Sequence, residues 1–376
     1  MPRHILSSLR WYAVNLWQWW LQRSRRSALR RSTDMGRTVV IDLHENRWHR
    51  YLHILLLFLA DQGFSVVIRH RWRFIGSWAS HDLFRRSSLF NLRFTSHRAE
   101  HELLITDRSA AGKHLRLDLD YFLLPQESPN GTRVPMPMVD SQYIAGTHRR
   151  FPPNTDTKRR RAAFFFGNMD RGAYQRPEPR EVFGCFTRTE LLDLLREHHA
   201  ERLSEPADLD GIDDRPEHDI VLLGRHKRYI LPTDLLEVLT RFDFFLAPSG
   251  VVMPLCHNLV EAMFAGCIPI LQHGHLMDPP LRNGIECLGF SNASQLSIAL
   301  GRMRSMSDED VLAMRKRVIR YCEEHLTPDA VIARLERTGW NGPLHLNGEL
   351  ASVMRLKQRM TELGIAGPLP IPSTIQ

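Results

Sequence analysis

Short apolar runs alternate with longer amphipathic stretches along most of this chain. That alternation is the pattern of βαβ units, which carry parallel strands and right-handed crossovers. Residues 37–43 (RTVVIDL) predict a buried strand, 44–50 a polar loop, 51–61 a helix stopped by Gly63, and 64–68 the next strand. Residues 103–106 predict a further strand ending at Asp107, with short strands over 115–124 and 134–139. FPPNTDTKRRR, residues 151–161, has the proline and charge of a linker. Beyond it, 162–166 and 219–223 predict buried strands, 189–198 and 232–240 helices, and 201–217 an acidic surface loop. Residues 285–290 predict a last short strand. Helices are expected over 293–303, over 308–325 with Ser307 as N-cap, and over 350–363, before an extended tail.

The most informative stretch is 242–272, FDFFLAPSGVVMPLCHNLVEAMFAGCIPILQ. It reads as a strand over 244–247, the loop Pro248-Ser249-Gly250, a helix over 256–265 stopped by Gly266, and a strand over 267–271. In parallel α/β sheets, ligands sit at the carboxyl ends of strands, where helices begin. His257, Asn258 and Glu261 lie three and four apart and share one helix face. A carboxylate there can accept two hydrogen bonds from a ribose diol, and the N–H groups of the helix start suit a diphosphate. Two readings of Glu261 stand: a ribose ligand, or an acid that simply favours the first turn of a helix.

HNLVEAMFAGCIPIL resembles the donor-site segment of GT-B glycosyltransferases, and is most similar to the exostosin-like group, whose pattern runs roughly LVPxG…RxxEAxxxGCIPV. LAPSG, Glu261, Ala262 and Gly266-Cys267-Ile268-Pro269 stand in those positions. The resemblance extends over about 162–320. FFFGN, ending in Gly167 and Asn168, with Arg171 close behind, resembles the strand end and RG pair that open the donor domain in that group. It implies a nucleotide-sugar donor, no tightly bound cofactor, and two Rossmann-type α/β domains facing across a cleft. The implied layout is a basic head over 1–36, an acceptor-side domain over 37–150, a donor domain over 151–340, and a terminal helix and tail over 341–376. The exostosin-like group is usually lumenal and anchored by a membrane span; this chain shows no such stretch.

Charge changes the picture at one end. Residues 1–37 hold eight arginines against one acid, Asp34, so nearly all of the net charge of +8 lies there, beside Trp11, Trp17, Trp19 and Trp20. A near-neutral body argues against a nucleic-acid-binding fold. Residues 1–31 suit an interfacial helix on anionic lipid, or a helix packed on the protein's own surface or on another subunit. A cytoplasmic protein peripheral on the membrane is the expectation, and five cysteines without disulfide or zinc spacing agree with a reducing compartment.

Arg225 and Lys227 follow a strand and either grip the diphosphate or form a solvated basic loop. His273 and His275 lack a third ligand at usable spacing for a metal, and Asp118 and Asp120 read as a surface pair. An inverting transfer needs a general base on the acceptor side, for which His44 and Glu45, after the first strand, are the candidates. The expected activity is metal-independent transfer of a sugar to a glycan, polysaccharide or lipid-linked acceptor. A nucleotide-sugar epimerase and a non-catalytic relative in polysaccharide assembly are the alternatives.

Overall fold

The computed structural model describes Ala13 and residues 37–45, 50–69, 91–93, 102–125, 127, 130–212, 217–225 and 230–369. The basic head, most of residues 69–98 and Lys227 lie outside them. The chain divides into two compact α/β units. One holds 1–121, 129–134 and 328–348; the other holds 122–128, 135–327 and 349–376.

The first unit is built on seven strands: β1 (Thr38–Asp42), β2 (Ser65–Arg69), β3 (Asn91–Arg93), β4 (Leu103–Thr106), β5 (Leu115–Asp118), β6 (Thr132–Arg133) and β13 (Gly342–His345). Their order is β3-β2-β1-β4-β5-β13-β6, and every pairing is parallel. A sheet covered on both faces needs continuous apolar strands, and Val39, Val40 and Ile41 are fully buried. The Arg50–Asp61 helix buries nine consecutive residues, Tyr51 to Leu59. One side of it packs against the Pro328–Arg337 helix, an element that the apolar pattern did not predict.

Strand β13 was equally unforeseen. It lies between β5 and β6, and it contains Pro343, a residue that normally argues against an interior strand. Gly131 makes room for it. A Cβ at Gly131 would fall 2.4 Å from the Pro343 carbonyl oxygen, and the φ of +95° there already favours glycine. Long-range pairing thus recruits a segment whose local sequence is a poor strand former.

The second unit holds β7 (Arg160–Gly167), β8 (Leu203–Ser204), β9 (Ile220–Gly224), β10 (Phe242–Leu246), β11 (Ile268–Leu271) and β12 (Leu288–Gly289), in the order β12-β11-β10-β7-β9-β8, again all parallel. All five residues of β10 are buried. Phe164 stacks on Phe242 with ring centroids 4.3 Å apart, and each such phenylalanine contributes about 1.5–3 kcal/mol by leaving water. The predicted helices over 189–198, 232–240, 256–265, 293–303, 308–325 and 350–363 appear as Arg188–His198, Pro232–Leu239, His257–Phe264, Ala293–Ser305, Asp308–His325 and Leu350–Glu362. Short elements shrink most: the strands expected over 115–124 and 285–290 are Leu115–Asp118 and Leu288–Gly289. The stretch 134–139 forms no strand.

No described helix is long and apolar enough to cross a membrane. Asp118 and Asp120 are half-buried rather than exposed, and Asp118 accepts the Asp120 N–H at 3.1 Å in a local turn.

Candidate functional site

Each sheet has one place where the chain reverses direction across it. In the second unit β7 comes first, β9 joins one flank and β10 the other, so the crevice opens at the carboxyl ends of β7 and β10. The sequence-predicted donor residues gather there. Gly167 ends β7 and Asn168 follows it, Arg225 follows β9, Ser249 and Gly250 follow β10, and His257, Asn258 and Glu261 lie on the next helix. Arg225 N–H donates to the Gly167 carbonyl at 2.8 Å, which joins the ends of β7 and β9.

The loop after β10 is held from several sides. Ser249 is buried and its hydroxyl donates to the Phe186 carbonyl at 2.7 Å. The Phe186 N–H donates to Gln272 Oε1 at 2.7 Å, at the end of β11. A Cβ on Gly250 would lie 2.9 Å from the Met253 carbonyl and 3.1 Å from that of Leu255, so this turn has no room for a side chain. The loop's shape is set before any ligand arrives.

Glu261 is 1% exposed. Its Oε1 accepts the Val139 N–H at 3.4 Å, and the Gln142 side chain also hydrogen-bonds it. Burial pushes its carboxyl above the usual range, while His257 and these two donors pull the other way. Asn258 is 7% exposed, and its Oδ1 has no partner among the described atoms. His257 is half-buried, with Nδ1 3.8 Å from Cys256 Sγ. Arg171 turns outward instead: it is 65% exposed and paired with Asp193.

No family model matches the chain, and no curated protein matches it. Among solved structures it is similar to a spinosyn rhamnosyltransferase, SpnG. The likeness covers 88% of this chain and 81% of that one, at 14% identity and a TM-score of 0.30. A likeness of that size says nothing of donor or acceptor.

The residue that the sequence reading missed is Arg188. It is 3% exposed and opens the Arg188–His198 helix, directly after a capping box formed by Thr187 and Glu190. Its guanidinium donates to the carbonyls of Ser249 at 3.2 Å and Asn168 at 3.0 Å, and to the Tyr174 hydroxyl. It also lies 4.0 Å from the centroid of the Tyr174 ring. An arginine inside an amphipathic helix pattern is normally a surface residue, so its sequence context carries no signal of this.

In the first unit the reversal falls between β1 and β4. His44 and Glu45 follow β1, and Asp107 follows β4. The Asp107 side chain is fully buried. It accepts the His44 N–H at 2.8 Å, the Glu45 N–H at 2.7 Å, and lies 3.3 Å from His44 Nδ1. A carboxylate on Nδ1 fixes the tautomer and orientation of an imidazole, as a general base requires. Glu45 is exposed.

Among the described residues no group of three His, Cys, Asp or Glu side chains is placed to hold a metal ion. His273 and His275 are held neutral instead. Burial, and then the neighbouring His275, lower His273 to about 3, and burial lowers His275 to about 4. The unfolded chain takes up protons on both below about pH 6.5, whereas the fold does not. Their contribution to stability is therefore complete above about pH 6.5 and is lost as the pH falls toward 4, by up to about 1.4 kcal/mol per pH unit for each group. Urea unfolding across that range should show this slope, and His273→Leu together with His275→Leu should flatten it. An unchanged slope in the double variant would assign the acid sensitivity to other groups.

Proposed function

We propose that the chain is a glycosyltransferase of GT-B, exostosin-like type. It moves a sugar from a nucleotide-diphosphate sugar to a glycan, polysaccharide or lipid-linked acceptor. The supporting observation is the clustering of the Ser249-Gly250 loop, the Cys256–Asn258 helix start and Glu261 at the reversal point of the second sheet. The N–H groups of that helix start meet the diphosphate, and Arg225 and Lys227 add full charge. Glu261, buried and accepting the Val139 N–H, accepts the ribose hydroxyls when that N–H gives way. His44, oriented by Asp107, takes the acceptor proton, with Glu45 beside it. The leaving diphosphate is stabilised by these fixed donors, so a divalent ion is not required. Residues 1–31 place the enzyme on an anionic membrane surface, on the cytoplasmic side.

The test has two stages. Thermal shift with UDP, GDP and dTDP should show stabilisation by at least one of them. Product analysis with a labelled donor should then show transfer that needs an acceptor and survives excess EDTA. Nucleotide binding with an isomerised donor and no transfer would favour the epimerase; no nucleotide binding would favour a scaffold. Activity lost to EDTA and restored by manganese would overturn the metal-free mechanism and bring Asp118 and Asp120 forward.

A further inference from the structure

Arg188 presents an electrostatic problem. Its guanidinium is almost wholly out of water, yet its partners are two carbonyls, a tyrosine hydroxyl, two aromatic rings and a thiol. Among the described residues it forms no ion pair with a carboxylate. A buried cation without a counter-charge is costly, so proteins pair such groups. Two of these partners can take a negative charge, the Tyr174 hydroxyl and Cys256 Sγ, 3.7 Å from Nη2, and a thiol is the more acidic of the two.

We propose that Arg188 is the positioning residue of the donor site and that the Cys256 thiolate is its counter-ion. The inference rests on the donor-site reading above. Three elements meet at this pair. Asn168 follows β7, Ser249 follows β10, and Cys256 is the residue from which the His257–Phe264 helix starts. One forked cation therefore fixes the distance between the two strand ends that form the crevice and the helix start that faces the diphosphate. The capping box at Thr187 and Glu190 fixes the backbone from which the cation projects.

The charge environment of the thiol agrees. Burial raises Cys256, but His257, Arg188 and the Asn258 N–H outweigh it and bring the group down to about 6. Glu261, one turn along the same helix, and Tyr174, across the cluster, are the other titratable groups facing it. Burial raises both, and Glu261 makes no hydrogen bond or ion pair with Arg188. The remaining cysteines, 185, 267, 287 and 322, are buried, and burial raises each of them. Cys256 is the half-buried one and should stand out chemically.

The experiment follows alkylation of the full-length protein by iodoacetamide from about pH 5 to about pH 10. The Cys256 peptide is quantified by mass spectrometry. In this reaction the thiolate sulfur bonds to the CH2 carbon, the C–I bond breaks and iodide leaves. Wild type should show a midpoint near pH 6. Arg188→Met should raise it by about one unit or more, as loss of an opposite charge at this range does. Should Arg188→Met fail to fold, Arg188→Gln keeps a donor for the strand-end carbonyls, lacks the charge, and should show the same rise. A merely structural arginine would leave the midpoint where it was, and an unchanged midpoint in a folded neutral variant overturns the proposal. Thermal shift by UDP, GDP and dTDP is read on the same samples and should fall about tenfold or more in apparent affinity. A wild-type protein that binds no nucleotide would refute the donor-site reading, while the thiol midpoint still decides the ion pair.

Discussion

Glu261→Ala should weaken nucleoside diphosphate binding by about 1.5–3 kcal/mol, roughly 10–150-fold, while the protein stays folded. The size follows from charge-assisted hydrogen bonds, which a ribose diol makes to a carboxylate and an alanine methyl cannot replace. The variant also removes the acceptor of the Val139 N–H, so some loss of stability is expected alongside. Glu261→Gln separates the two effects. It keeps an oxygen for Val139 and most of the volume, but not the charge. Titration calorimetry on both variants is the measurement. A folded Glu261→Ala protein with unchanged affinity would reduce Glu261 to a clamp on the 139–142 segment.

Arg315→Met should cost the second unit about 3–5 kcal/mol, the range found when one member of a buried ion pair is removed. Asp243 is the second residue of β10, with 3% exposure, and a charge there is otherwise out of place among phenylalanines. Arg315, itself 5% exposed, pairs with it from the Asp308–His325 helix, and Arg161 adds a hydrogen bond at 3.2 Å from β7. With Arg315 gone, Asp243 keeps the more exposed Arg161 alone. Arg315 also ties the Thr157 carbonyl at 3.2 Å, so the chain leading into β7 should loosen. Denaturant unfolding reads the loss. Asp243→Asn in the Arg315→Met background should recover part of it, because the unpaired charge is then removed. A cost under about 1 kcal/mol would mean that water reaches Asp243.

The apolar pattern by itself determined most of the framework. Strands such as β1, β7, β9 and β10 are buried on both faces, so each carries an apolar run, and that signal is local. The long helices were visible for the same reason: one face packs and the other does not. The 242–272 stretch likewise determined that Ser249, Gly250, His257, Asn258 and Glu261 would stand at one strand end, since chain connectivity alone puts them there.

Tertiary structure decided the rest. Strand β13 and the Pro328–Arg337 helix return to the first unit through pairing with residues over two hundred positions earlier, which no local window contains. Asp107 meets His44 because β1 and β4 are neighbours, a fact of sheet order rather than of spacing. Arg188 is the clearest case. In the sequence it is a polar residue at the start of an amphipathic helix; in the fold it is a buried cation joining two strand ends to a thiol. A charge shows its role only when its partners are known, and those partners are set by packing. Hydrophobic burial is non-directional and leaves a periodic trace in the chain, whereas a hydrogen-bonded ion pair depends on a few atoms meeting at about 3 Å and leaves none.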